Sequence, residues 1–145
     1  MRGIEFEPLR RYSVGIICAK SCPFAQLSVI RPSAVPTDNL VGYRAAEFPE
    51  YHPWVAKVLG VSRNRVVISQ ECDGVLSLVA AVESGDSPAV VGEFTTAIAG
   101  NRICYIPFVS KPSFMDVGLL HRKGETAENV KKLIASSLAF KEAFK

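Results

Sequence analysis

The chain is poor in the residues from which chemical devices are usually assembled. Among its 145 residues are two histidines, one tryptophan and four cysteines (Cys18, Cys22, Cys72 and Cys104). The pair Cys18-x-x-x-Cys22 has no second Cys/His pair at a zinc spacing, so a metal centre is not expected. The glycines are scattered, which excludes a glycine-rich phosphate loop and gives no reason to expect a cofactor. No apolar run approaches the ~20 residues needed to cross a bilayer, so no membrane association is expected. Neither charge sign dominates. Seventeen Lys and Arg against 14 Asp and Glu leave a net +3, too small and too evenly spread to form a nucleic-acid footprint. Internal repeats and low-complexity stretches are absent. The opening Met1-Arg2-Gly3-Ile4-Glu5-Phe6-Glu7 lacks the apolar region of a secretory signal. These absences predict a soluble, cytoplasmic protein whose cysteines are free thiols.

What is present is a large apolar fraction, 48%, in a chain long enough for one globular domain. A domain of this size hides roughly two-thirds of its extended surface and needs neither disulfide nor structural metal. The pattern alternates strand and helix. Tyr12 to Ala19 reads as a buried strand that stops at Lys20-Ser21-Cys22-Pro23. The proline-bearing stretch from Arg31 to Asn39 reads as loop, and Leu40 to Arg44 as a short strand. Pro53 suits a helix first turn, and the helix then runs through Trp54, Val55, Val58 and Leu59 to Gly60, which can adopt the left-handed stop. Arg65 to Glu71 is a further strand. Asp73 is then expected to cap a deeply buried helix from Gly74 to Ser84, ended by Gly85. Strands follow at Ala89 to Val91, Ile103 to Tyr105 and Val117 to His121, with a short helix near Glu93 to Ala99. The last helix follows Thr126 and sets Val130, Leu133, Ile134 and Leu138 on one stripe. Such alternation predicts an α/β fold with a mainly parallel sheet flanked by helices, where ligands sit at the carboxyl ends of strands.

The order of these pieces resembles the effector-binding domain of LysR-type transcriptional regulators. The resemblance covers about Leu9 to Ala139. It rests on the strand followed by Cys22-Pro23-Phe24-Ala25, on Leu40-Val41-Gly42-Tyr43, and on Phe48-Pro49-Glu50-Tyr51-His52. It continues in the strand ending at Glu71, the helix Leu78-Val79-Ala80-Ala81-Val82-Glu83-Ser84-Gly85, the segment Ala89-Val90-Val91-Gly92-Glu93, and Val117 to Lys123. Two departures stand out: Asp86-Ser87-Pro88 replaces an apolar residue and a glycine, and Gly92 replaces a proline. The resemblance implies a lobe like those of type 2 periplasmic binding proteins. On this reading 1–145 is a partial effector-binding domain. Its second lobe, about 12–105, is nearly complete, and about 114–145 is the return strand and C-terminal helix of a first lobe that is mostly missing. The family's winged helix-turn-helix, linker helix and first part of the effector domain would precede Met1, so this chain is expected to make no direct DNA contact. The stripe on the last helix would then be uncovered, and is expected either to dock back onto its own sheet or to be hidden in a homo-oligomer.

The resemblance also implies the site. The loop after Leu40 to Tyr43 and the helix start at Gly74 would face the cleft between lobes, which assigns effector binding to Tyr43, Arg44, Ala45, Phe48, Cys72, Asp73 and Gly74. Free N–H groups at a helix start favour a carboxylate or phosphate, and Arg44 could clamp the same anion. Against this, Asp73 as the cap would compete for those donors, and Arg44 has the plainer reading of a solvated charge. The expected function is therefore sensing of a small, often anionic, effector that biases transcription in an intact regulator, with no catalytic residue. Two alternatives stay open: a stand-alone solute-binding or interaction module, and a small α/β enzyme using Cys72 as nucleophile with His52 or His121 as base. Phe48, Tyr51 and Trp54 could stack on a ligand or simply pack the helix on the sheet. His52 reads as a helix-entry residue, His121 as exposed, and Lys131, Lys132 and Lys141 to Lys145 as a solvated face.

Overall fold

In the computed structural model, residues 3–109 and 114–143 are described, apart from the side chains of residues 142 and 143. Met1, Arg2 and the lysine at position 145 lie outside them. The first element is a long strand, β1 (Ile4–Cys18). It begins well before Tyr12, where the buried run of the sequence starts, because pairing rather than apolar content extends it. The chain divides within this strand into two compact units, one holding the residues up to Tyr12 together with Phe114 onward, the other beginning at Ser13.

The larger unit contains β2 (Leu40–Tyr43), α1 (Tyr51–Leu59), β3 (Ile68–Cys72), α2 (Val75–Ser84), β4 (Ala89–Gly92), α3 (Thr95–Ala99) and β5 (Cys104–Pro107). The sheet is mixed. β2 and β3 are parallel, whereas the Ser13 side of β1 runs antiparallel to β4 on one edge and β5 on the other, with Ile16 opposite Val90 and Ile106. The parallel order expected from alternating strands and helices holds for β2 and β3. β1 runs against β4 and β5, to which the mainly parallel expectation does not extend. The Val41 N–H donates to Pro88 O (2.9 Å), which places β2 beside the entry to β4.

The core is the apolar content of these elements. Ile17, Val41, Cys72, Leu78, Val79, Val82, Ala89 and Val91 form one buried cluster, with Tyr43, Val75 and Tyr105 packed at its margin. Gly15 is needed where it stands, since a Cβ there would run into the backbone oxygen of Ile106. Gly60 takes the left-handed conformation (φ 68°) that ends α1, as its sequence position predicts.

Several local expectations are corrected. α1 begins at Tyr51, two residues before Pro53, which lies in its first turn as expected. Residues Arg63–Arg65 form a short helical turn that delays β3 to Ile68, and Pro32–Ala34 form another within the expected loop. Asp73 is not the cap of α2; Gly74 holds that place. α2 is buried on one side only: Leu78, Val79, Ala81 and Val82 are inside, but Leu76 is 67% exposed.

The smaller unit pairs β6 (Phe114–Arg122) with β1 and adds α4 (Glu128–Ala143). The bidentate ion pair of Arg11 with Asp116 (2.7 and 3.0 Å) ties β6 to β1. Lys141 Nζ donates to Pro8 O (2.7 Å) and so holds the end of α4 against the same strand. The predicted stripe is only half covered. Val130, Ile134 and Leu138 are half-buried, and Leu133 is 60% exposed.

Candidate functional site

The carboxyl ends of β2 and β3 meet: the Arg44 N–H donates to Cys72 O (2.9 Å), continuing the parallel ladder by one residue. This brings the residues after β2 beside Cys72, Asp73 and Gly74, which lead into α2. Arg44 is exposed and its Nη1 donates to Glu47 Oε1 (2.9 Å), so it is a tethered rather than a freely swinging cation. Ala45 is half-buried in the same turn, and Phe48, whose N–H donates to Arg44 O (2.9 Å), closes that turn and is 40% exposed.

The start of α2 differs from expectation. The Gly74 N–H donates to Ser77 Oγ (3.2 Å), and that hydroxyl lies 2.6 Å from Asp73 Oδ1. Ser77 therefore supplies the reach-back half of a capping box, and Asp73, which accepts from the Ser77 hydroxyl, makes no bond to an α2 N–H among the described residues. The hydrogen bond from Ser77 holds the Asp73 carboxyl below its usual range. Unpaired N–H donors in the first turn of a helix favour an anion.

Behind these loops lies an aromatic cluster. The Tyr43 ring is 4.7 Å from Phe48 and 5.0 Å, edge-on, from Tyr51, and Tyr51 is 5.9 Å from Trp54. Tyr51 is buried and donates to Val90 O (2.9 Å), which makes it a core strut joining α1 to β4. His52 is half-buried, with Nε2 3.1 Å from Tyr43 O. Burial raises the Tyr51 phenol, and it also raises Cys72, with Asp73 adding to the shift. A thiol held protonated in this way is a poor nucleophile. Burial likewise pushes Cys18 up to about 12, with Cys22 adding to the shift. All four cysteines are free, and no group of His, Cys, Asp or Glu suited to a metal ion exists among the described residues.

A second polar cluster was not legible in the sequence. Ser13 Oγ donates to Glu93 Oε2 (2.8 Å) and lies 2.8 Å from Tyr105 Oη, while the Glu93 N–H donates to Ser13 O (2.9 Å). These residues are 80 and 92 positions from Ser13, so only the register of β1 with β4 and β5 unites them. His121, expected to be exposed, is instead inside the smaller unit: its side chain is 12% exposed, with Nε2 3.6 Å from Glu7 Oε1. A groove of about 790 Å³ also lies in the smaller unit, between Leu9–Tyr12 and Ser136–Lys141. It does not include the predicted site residues.

Residues 1–139 match the family described as the LysR substrate binding domain. The chain belongs to that family. Comparison with curated proteins finds no match. Solved structures of LysR substrate-binding domains share the fold. The regulatory domain of MetR from N. meningitidis is 16% identical, with TM-score 0.67 over 97% of this chain and 65% of that one. The CcmR regulatory domain of Synechocystis PCC6803 in complex with 2-PG is 12% identical, with TM-score 0.75 over 96% of this chain and 67% of that one. The effector binding domain of QuiR in complex with shikimate is 12% identical, with TM-score 0.76 over 97% and 66%. The chain thus spans about two-thirds of such a domain, and the α/β fold of type 2 periplasmic binding proteins expected from the sequence is the one observed. No helix among the described residues is long and apolar enough to cross a membrane.

Proposed function

We propose that this LysR substrate-binding domain is the effector-sensing part of a cytoplasmic transcriptional regulator, and that it takes a small acid at the carboxyl ends of β2 and β3. Tyr43, Arg44, Ala45 and Phe48 form one wall, and Cys72, Asp73 and Gly74 the other. The observation that carries this reading is the Arg44 N–H to Cys72 O bond, which sets Arg44 beside the first turn of a ten-residue helix, where its charge helps to lower the Asp73 carboxyl. The related QuiR and CcmR domains are in complex with shikimate and 2-PG, both small acids, which supports this ligand class.

In the intact regulator the effector favours one arrangement of two lobes, and that bias reaches a separate DNA-binding domain through the oligomer. The larger unit supplies most of the second lobe, and β6 with α4 belongs to the first. A homo-oligomer covers exposed apolar groups of the smaller unit, which include Leu120 (65% exposed) and Leu133 (60%). The test is a thermal-shift series with small carboxylates and phosphates on the wild-type chain and on Arg44→Ala. We expect stabilisation by an acid that is weakened by the substitution. Equal stabilisation of the two proteins removes Arg44 from the site.

A further inference from the structure

The same unit carries an acceptor for which the anion reading has no use. Ser13 opens the larger unit, Glu93 directly follows β4, and Tyr105 lies on β5. A hydroxyl carries one proton. Because Ser13 Oγ spends it on Glu93 Oε2, the 2.8 Å contact with Tyr105 must be donated by the phenol, giving the relay Tyr105 Oη–H to Ser13 Oγ–H to Glu93 Oε2. Every member is oriented. Tyr105 is half-buried against the core cluster, and the Glu93 backbone is pinned by its N–H to Ser13 O (2.9 Å). One carboxylate oxygen is thereby fixed, while Glu93 stays exposed and its Oε1 has no hydrogen-bond partner among the described residues.

A solvent-facing carboxylate needs no such support to remain soluble. Two buttressing hydroxyls restrict its rotamers and so lower the entropic cost of accepting a donor from a ligand. β4 lies beside β2, the Val41 N–H donating to Pro88 O (2.9 Å), and Glu93 follows β4 as Arg44 and Asp73 follow β2 and β3.

We infer that Glu93, positioned by Ser13 and Tyr105, binds a hydrogen-bond donor on the effector, which is therefore a small acid that also carries a hydroxyl or an ammonium group. This rests on the effector-binding reading above and narrows its ligand class. Ser13 and Tyr105 act through Glu93 as positioning residues.

The experiment measures affinity from ligand-dependent thermal shifts of the full chain for matched acids: glycolate, glycerate and quinate, and glycine and β-alanine, each against acetate, propionate or cyclohexanecarboxylate. The wild type should favour one donor-bearing set over its plain counterparts by about tenfold, the scale of one hydrogen bond to a charged group. The hydroxylated and amino arms tell the two donors apart. Glu93→Ala should abolish the preference, and Ser13→Ala should reduce it while acetate and propionate bind as before. A melting curve of each ligand-free variant checks folding, which the exposure of Glu93 should preserve. Plain and donor-bearing acids binding equally, or a preference that survives Glu93→Ala, overturns this inference and leaves the effector reading standing. Binding of no acid at all overturns both.

Discussion

β1 is a single strand in two environments. From Val14 to Cys18 every residue is buried between β4 and β5, whereas from Ile4 to Tyr12 every residue is exposed or half-buried. The contrast extends to the two units. All the buried hydrophobic residues described belong to the larger one, and the smaller one leaves Ile4, Phe6, Phe114, Val117, Leu120, Leu133 and Phe140 more than 40% exposed. Apolar sequence alone does not make a core; layers on both sides of it do. The larger unit has those layers, and the smaller is held chiefly by strand pairing, the Arg11–Asp116 pair and the Lys141 contact.

The contrast can be broken most sharply in the core. Leu78→Ala, at a fully buried position, should cost about 2–5 kcal/mol in urea unfolding. Leu133→Ala, 60% exposed, should stay within about 0.5 kcal/mol. Comparable losses would refute the difference in packing between the two units. Next in size is the pair of close glycines. Gly15→Ala forces a methyl into Ile106 O within the packed sheet and should cost roughly 1–3 kcal/mol. Gly118→Ala meets Glu7 O in the smaller unit, where no buried hydrophobic residue packs among those described, and should cost less by the same measurement.

A smaller effect sharpens the comparison through pH. The hydrogen bond to Arg122 O, then Glu7 and Glu5, raises the His121 imidazole. Its contribution is therefore complete below the ordinary histidine value of about 6.5 and disappears as pH rises through the raised one. Arg11 lowers the Asp116 carboxyl, whose contribution is present above the ordinary value of about 3.9 and is lost as pH falls through the lowered one. Amide exchange of β6, corrected for intrinsic rates, should thus slow from pH 8 to pH 6 in the wild type but not in His121→Gln, while β4 shows no such difference. Equal responses in β4 and β6 would refute the assignment to His121. The smallest effect concerns association. Leu120→Lys should leave the melting temperature nearly unchanged while lowering the sedimentation-measured self-association of the chain.

Much of the fold was readable in advance because its signals are local. Leu40 to Tyr43, the stop at Gly60, the end of α2 at Gly85 and the apolar run Ala89 to Val91 each depend on neighbours within a few positions. The misjudged features depend on contacts made elsewhere. Asp73 has the ideal chemistry for a cap, but Ser77 took over the reach-back bond and Gly74 the position. His121 reads as exposed in sequence and is enclosed by β1 pairing. The predicted site residues do meet across β2 and β3, yet the Arg44–Glu47 tether and the Ser13–Glu93–Tyr105 relay lie outside what residue spacing encodes.

By itself the sequence determined which stretches could be strands or helices and which family pattern they follow, because backbone propensity and apolar periodicity act over a few residues. Tertiary structure alone decided which apolar residues became core and which polar side chains met, because burial and hydrogen bonding between positions 80 or more apart require the sheet to be assembled first.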